Sequence, residues 1–275
     1  MTRRFLIAVL LSLAALPLDA ATLDGMTIHS TSTGKGPKTL VLVHGWTCDE
    51  TSWAANVPEL STHYRVITLD LPGHGRSDSP KDGRITMDLF ARAVEAVRAE
   101  QKVDKVILVG HSMGTPVVRQ YARMYPQHVA ALVVVDGFVA GPPQGQAPRP
   151  ILDPARIASP DGPQLREGMI RTMFTPKTPA DVQQRVLKMM LAAPPATAAG
   201  AMTATFDTSF WSDEVMPMPA YGIFAEKSQL LGNVAFMKKV LPKLDYVEMP
   251  GTGHFVMMEQ PQEFNRLLIK FVESL

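Results

Sequence analysis

Residues 105–121, K-V-I-L-V-G-H-S-M-G-T-P-V-V-R-Q-Y, constrain the fold of this chain more than any other stretch. Val106, Ile107, Leu108 and Val109 form an apolar, β-branched run that reads as a buried strand. Gly110-His111-Ser112-Met113-Gly114 ends it, and a helical pattern follows through Val117, Val118 and Tyr121. A serine at the apex of a sharp strand-to-helix turn holds a strained backbone. The positions two residues to either side are crowded, so their side chains must be minimal. The turn lifts the Ser112 hydroxyl out of the sheet, and the helix behind it aims backbone N–H groups at the same spot. G-x-S-x-G also arises by chance in Gly/Ser-rich turns. The strand before it and the helix after it mark Ser112 as a nucleophile.

The rest of the chain alternates in the same way. Residues 39–43, 64–70, 129–135, 220–225 and 246–249 read as strands, with an early edge strand over 26–32. Helical spacing is expected over 52–60, 86–100, 234–241 and 264–275. In 86–100, Met87, Phe90, Ala91, Val94 and Val97 fall on one stripe. Strands alternating with helices imply a mostly parallel sheet covered on both faces. The alternation breaks over 138–218, where five prolines crowd residues 142–154 and helix-like pieces follow at 164–174, 180–191 and 203–211. A structureless loop of that length is improbable in a compact domain, so 138–218 reads as a helical insertion into a core made of 21–137 and 219–275. It carries Met169, Met173, Met189, Met190, Met202, Phe206, Phe210 and Trp211, and an Ala/Pro-rich tract lies at 192–201.

Residues 1–20 have the layout of a secretory leader: Arg3 and Arg4, an apolar run from Phe5 to Pro17, then small residues at Ala20 and Ala21. The run is shorter than the roughly 20 residues needed to span a bilayer. A periplasmic or secreted protein with no stable membrane span after leader removal is therefore expected. The net charge of +1 gives no reason to expect a nucleic-acid partner. Cys48 is the only cysteine, which rules out an intrachain disulfide, and no Cys/His cluster has metal-ligand spacing. Cys48 is expected to pack as a small hydrophobe.

Ligands of such sheets bind beyond the carboxyl ends of the strands, where His44, Asp70, Ser112, Asp136 and His254 all follow predicted strands. A serine hydroxyl needs a base, and the base an orienting acid. Of seven histidines, His254 stands in the glycine-loosened string Pro250-Gly251-Thr252-Gly253-His254-Phe255, from which an imidazole can reach across strand ends. His111 adjoins the serine, but neighbours in a tight turn are expected to point apart. His44 and His74 lie in turns and read as structural. His29, His63 and His128 read as surface or edge residues. For the acid, Asp136 after the strand at 129–135 and Glu226 after the strand at 220–225 both remain open. Asp136-Gly137 is also a good turn pair in its own right.

Together, His44-Gly45-Trp46, D-L-P-G-H-G-R-S-D at 70–78, G-H-S-M-G at 110–114 and G-T-G-H-F at 251–255, with Glu259 and Pro261 behind it, resemble the α/β-hydrolase superfamily over nearly all of the chain past the leader. The resemblance implies an α/β-hydrolase fold: a mostly parallel sheet, helices on both faces and a cap inserted after strand six. It also implies the chain order serine, acid, histidine, and an oxyanion hole from the N–H groups of Trp46 and Met113. The 70–78 segment is then a shaped turn without chemistry. Members usually carry an aspartate after strand seven, where this chain has Ser228; some lipases and dehalogenases of the superfamily use the strand-six position, which here is Asp136. The expected activity is hydrolysis of carboxylic esters of small to medium apolar substrates, with no metal or organic cofactor. Lactone opening, C–C bond hydrolysis and cofactor-free perhydrolysis are alternatives within the same chemistry. A homologue that binds a ligand without turning it over is a further one, motivated by the missing strand-seven aspartate. Nucleophilic-aspartate chemistry is disfavoured, because the turn presents a serine.

Overall fold

The predicted strands pair edge to edge in a computed structural model, which describes residues 20–139, 151–207, 209, 211–229 and 234–275. Among these residues are eight strands: β1 (Ala20–Leu23), β2 (Met26–Thr33), β3 (Thr39–Val43), β4 (Arg65–Leu69), β5 (Val106–His111), β6 (Val129–Val135), β7 (Ala220–Ala225) and β8 (Leu244–Met249). They form one sheet in the order β1-β2-β4-β3-β5-β6-β7-β8. β1–β2 and β2–β4 are antiparallel, and every pairing from β4 to β8 is parallel. Every residue of β3 and β5 is buried, as continuous apolar runs covered on both faces require. β2 alternates between buried and half-buried positions as far as Thr31 and ends exposed at Thr33.

The described helices are α1 (Val57–His63), α2 (Met87–Glu100), α3 (Gly114–Met124), α4 (Pro154–Ile157), α5 (Gly162–Arg171), α6 (Ala180–Ala192), α7 (Pro195–Phe206), α8 (Val234–Val240), α9 (Val256–Glu259) and α10 (Pro261–Glu273). α2 starts where Thr86 caps it, its hydroxyl accepting from the Leu89 N–H at 3.0 Å. Its predicted stripe of Met87, Phe90, Ala91, Val94 and Val97 is buried throughout. Phe90 is completely covered, so Phe90→Ala would cost about 3–5 kcal/mol. No described helix is long and apolar enough to cross a membrane.

Several expectations need correction. The stretch 52–60 is not one helix but a 3₁₀ turn, Glu50–Trp53, followed by α1. Asp49 caps the turn, and Pro58, which cannot donate to a helical ladder, lies in the first turn of α1. Trp53 and Leu60 are buried as expected, whereas Val57 is only partly so. The last predicted helical piece, 203–211, begins much earlier: the Ala/Pro tract supplies α7, whose Pro195 stands where a missing N–H is harmless. The sheet also gains β1 beyond the expected edge strand, with Ala20 opposite His29 and Leu23 opposite Met26. The boundary drawn between 20 and 21 therefore falls inside a strand. Helices α4 to α7 occupy the stretch expected as an insertion, between β6 and β7. The apolar run of the leader, most of the proline cluster and Phe210 lie outside the described residues.

Candidate active site

The elbow after β5 has the geometry its glycines anticipate. Ser112 takes a φ of 52°, in the left-handed region that costs a non-glycine residue energy. A Cβ on Gly110 would press against the Gly114 backbone, and one on Gly114 against the carbonyls of Val43 and His44. Only hydrogen at both positions lets β5 turn into α3 so close to β3. The Ser112 N–H donates to the Val135 carbonyl at 2.9 Å, which ties the apex to the end of β6.

That tie brings the serine beside Asp136. The Asp136 N–H donates to Ile223 O at 2.9 Å and its backbone bends to a φ of 38°, a conformation aspartate tolerates better than most residues. The bend directs Oδ2 to His254, whose Nδ1–H donates to it at 2.6 Å, while Oδ1 accepts from the Ala225 N–H at 3.0 Å. Burial by itself would raise the Asp136 carboxyl. The hydrogen bond and charge of His254, with the Ala225 N–H and the Ser228 hydroxyl, outweigh it and hold the group below the ordinary carboxylate range. Ser228, standing where the family usually has its aspartate, thus serves the aspartate one strand away.

Glu226 is spent elsewhere. Its Oε2 accepts from the Gly251 N–H at 2.9 Å and lies 3.7 Å from Lys177 Nζ. The Gly251 contact and Lys177 keep it below the usual carboxylate range. Of the two carboxylates left open by the sequence, the structure places Asp136, and not Glu226, on the imidazole.

A cavity of about 520 Å³ opens over these groups. Ser112, Asp136 and His254 line it with Trp46 and Met113, the two residues expected to offer N–H groups to an oxyanion. Its apolar wall comes from Phe138, Met169, Met173, Met202 and Phe206. The Trp46 indole N–H donates to the Ala198 carbonyl of α7 at 2.8 Å, joining the β3 loop to the inserted helices. No group of three or more metal-ligating side chains occurs among the described residues.

His111 plays a part its position in the sequence did not disclose. It is buried, its ring lies 4.8 Å from that of His254, and its Nε2–H donates to the His254 carbonyl at 2.9 Å. Burial, and then the nearby His254, push its pKa down to about 3, so the ring is neutral. Thr115 was also missed. Its hydroxyl accepts from the Phe138 N–H at 2.9 Å and lies 2.6 Å from Ser112 O and 2.9 Å from Phe138 O, fastening the elbow to the loop after β6. A hydroxyl one residue past G-x-S-x-G is the signal that could have found it.

His44, His74, Asp70 and Cys48, also singled out in the sequence, do not line this cavity. His44 Nδ1–H donates to Gly45 O at 2.8 Å and its Nε2 accepts from the Leu71 N–H at 3.0 Å, and burial lowers its pKa. His74 donates to Pro72 O at 3.1 Å, and burial, aided by His44, takes it to about 3. Asp70 accepts from the Glu50 and Arg76 N–H groups, shaping its turn. Cys48 is buried, and desolvation drives its thiol well above the usual range.

A model of the alpha/beta hydrolase family matches residues 40–267. The 1-acylglycerol-3-phosphate O-acyltransferase ABHD5 of Rattus norvegicus is 30% identical over 268 residues, covering 82% of this chain and 75% of its own. A thermophilic esterase from Thermogutta terrifontis superposes with a TM-score of 0.82 at 25% identity, covering 93% of this chain and 97% of the esterase. The enol-lactonase from Burkholderia xenovorans LB400 shares the fold with a TM-score of 0.78 at 20% identity, over 92% and 99% of the two chains. The relatives thus include hydrolases, and hydrolase chemistry fits the residues gathered at the strand ends. On the family match and the length of chain it spans, this protein belongs to the alpha/beta hydrolase family.

Proposed function

We propose that the protein is a serine hydrolase that cleaves carboxylic esters of small to medium apolar substrates through Ser112, His254 and Asp136. One observation carries this reading: the 2.6 Å hydrogen bond between His254 and Asp136 opens onto the same cavity as a serine in the left-handed conformation. With Nδ1–H committed to Asp136, His254 has Nε2 left as its basic nitrogen. Nε2 takes the Ser112 proton as Oγ bonds to the ester carbonyl carbon, and the carbonyl electron pair moves onto its oxygen. The N–H groups of Trp46 and Met113 stabilise that oxyanion. As the oxyanion collapses, the bond to the alcohol oxygen breaks and His254 returns the proton to the departing alcohol. Water, deprotonated by the same imidazole, then frees the acid and restores Ser112.

The apolar side chains of the cavity favour an apolar acyl or alcohol group, and its methionines adapt to differing shapes. The helices between β6 and β7 act as the cap, 138–218, over the core. Hydrolysis of p-nitrophenyl esters of graded acyl length tests the reading. Ser112→Ala should lower kcat by about 10⁴-fold or more, whereas a wild-type protein inert towards every chain length would reject it. A second reading, transfer of the acyl group to an alcohol in place of water, is favoured by the 30% identity with a protein named as an O-acyltransferase. Product analysis with 1-acylglycerol-3-phosphate present as acceptor separates the two.

Residues 1–20 are, on the same reading, a cleaved leader, and the mature protein is periplasmic or secreted. N-terminal sequencing of protein recovered from periplasm and medium tests this. A mature chain starting at Ala21 would retain three of the four β1 residues.

A further inference from the structure

The loop that carries His254 also holds a buried carboxylate for which the reaction above has no use. Glu259 is the last residue of α9 and is 9% exposed. Its Oε2 accepts from the Gly253 N–H and from the Thr178 hydroxyl, each at 2.9 Å, and its Oε1 accepts from the Phe255 N–H at 3.3 Å. Between these amides the His254 N–H donates to the Met173 carbonyl at 3.2 Å. The His254 carbonyl accepts from His111 at 2.9 Å. Three consecutive amides and the carbonyl of the middle residue are therefore all engaged, in a loop that has no ladder to hold it. An unpaired buried N–H costs more than a formed bond contributes, so the loop keeps one path only while both carboxylate oxygens accept. Met173 and Thr178 belong to the turn between α5 and α6, where the Thr178 hydroxyl also accepts from the Thr175 N–H at 2.9 Å. One carboxylate thus joins the histidine loop to the inserted helices.

We propose that Glu259 is a positioning residue for His254, and that Thr178 is the tie through which the α5–α6 turn shares in that positioning. Glu259 reaches no reacting atom. It acts by fixing the backbone from which the imidazole bonds Asp136 and faces the cavity that Ser112 also lines. Glutamine is a poor substitute, because its amide has one acceptor oxygen and its NH₂ would face donors. The inference rests on His254 being the base: if His254→Ala or Ser112→Ala keeps wild-type activity, that reading fails whatever Glu259 does.

The test combines kinetics on p-nitrophenyl butyrate with the low-field proton resonance of the His254–Asp136 hydrogen bond, identified by its loss in His254→Ala. Glu259→Gln should lower kcat by about 10- to 100-fold while KM stays within about threefold. It should also shift the acid limb of the kcat/KM profile and displace or broaden the low-field resonance. Thr178→Val should lower kcat by about three- to tenfold, and the double variant should be no worse than Glu259→Gln alone. A folded Glu259→Gln with wild-type kcat, pH limb and resonance would overturn the positioning role, and additive losses in the double variant would overturn the tie. If Glu259→Gln does not fold, Thr178→Val decides alone: a lowered kcat with a displaced resonance supports the proposal, and wild-type values for both contradict it.

Discussion

The side of the cavity built from strand ends and the side built from inserted helices are held in different ways. On the strand side, Ser112 and Asp136 are fixed by their own backbones, each with a positive φ and an N–H bonded at 2.9 Å to the neighbouring strand. On the helix side, Met169, Met202 and Phe206 offer apolar side chains to the cavity from a stretch tied to the core by scattered polar contacts, such as Trp46 to Ala198, Thr178 to Glu259 and Arg123 to Glu214. A one-residue slip on the strand side would misplace the chemistry altogether. A change of an apolar side chain on the cavity wall alters its shape, whereas a change at the polar ties of the α5–α6 turn reaches the histidine loop. On the proposed function, catalysis falls chiefly to the strand side and substrate choice to the helix side.

Substitutions that break the strand side should have the largest effects. Ser112→Ala removes the nucleophile, with the loss of about 10⁴-fold or more in kcat already stated. Asp136→Asn is next, at about 10³- to 10⁴-fold, because the amide no longer accepts from Nδ1–H and favours the wrong tautomer. Glu226→Gln is its control and should stay within about threefold, since Glu226 holds Gly251 and not the imidazole. Steady-state kinetics on one ester ranks all three, and equal small losses from the two carboxylates would remove Asp136 from its role. Sharpening the helix side calls for Phe206→Ala. It should change the ratio of kcat/KM between long and short acyl esters by about tenfold and leave kcat for acetate near wild type. An unchanged ratio would show that the helices do not select substrate.

The last effect is on stability and not on activity: a pH dependence. Burial holds His44, His74 and His111 neutral, the last two with pKa values near 3, against an ordinary imidazole value of 6.5. Between those values the unfolded chain binds protons that the native protein does not. The stabilisation is therefore fully present above pH 6.5 and is lost as pH falls through the window, by up to about 1.4 kcal/mol per unit for each of His74 and His111. Urea midpoints should fall from pH 7 to pH 5, with a shallower slope in His111→Gln. A midpoint constant over that range would contradict the burial of these rings.

Much of the strand side was legible in the sequence because its requirements are local. Two glycines about Ser112 announce a crowded turn, and an aspartate directly after the run at 129–135 announces a group at a strand end. The helix side was legible only as an interruption. α7 was hidden because alanine and proline read as low complexity, although proline is well suited to a first helical turn. β1 was hidden because its few residues adjoin the leader. The supports of His254 were hidden for a different reason: His111 bonds the His254 carbonyl across 143 residues, and Glu259, legible in the sequence only as part of a motif, bonds the amides on either side of His254, contacts that no periodicity records. His111 was expected only to point away from the serine beside it, and its ring lies 4.8 Å from that of His254.

The central claim, that Ser112 is made nucleophilic by an imidazole oriented by Asp136, is tested most directly by mass spectrometry after treatment with a fluorophosphonate. The account predicts a single adduct on the peptide containing residues 110–114, absent in Ser112→Ala and formed far more slowly in His254→Ala and Asp136→Asn. A wild-type protein that takes no label, or labelling at Ser112 that proceeds at the same rate without His254, would contradict it.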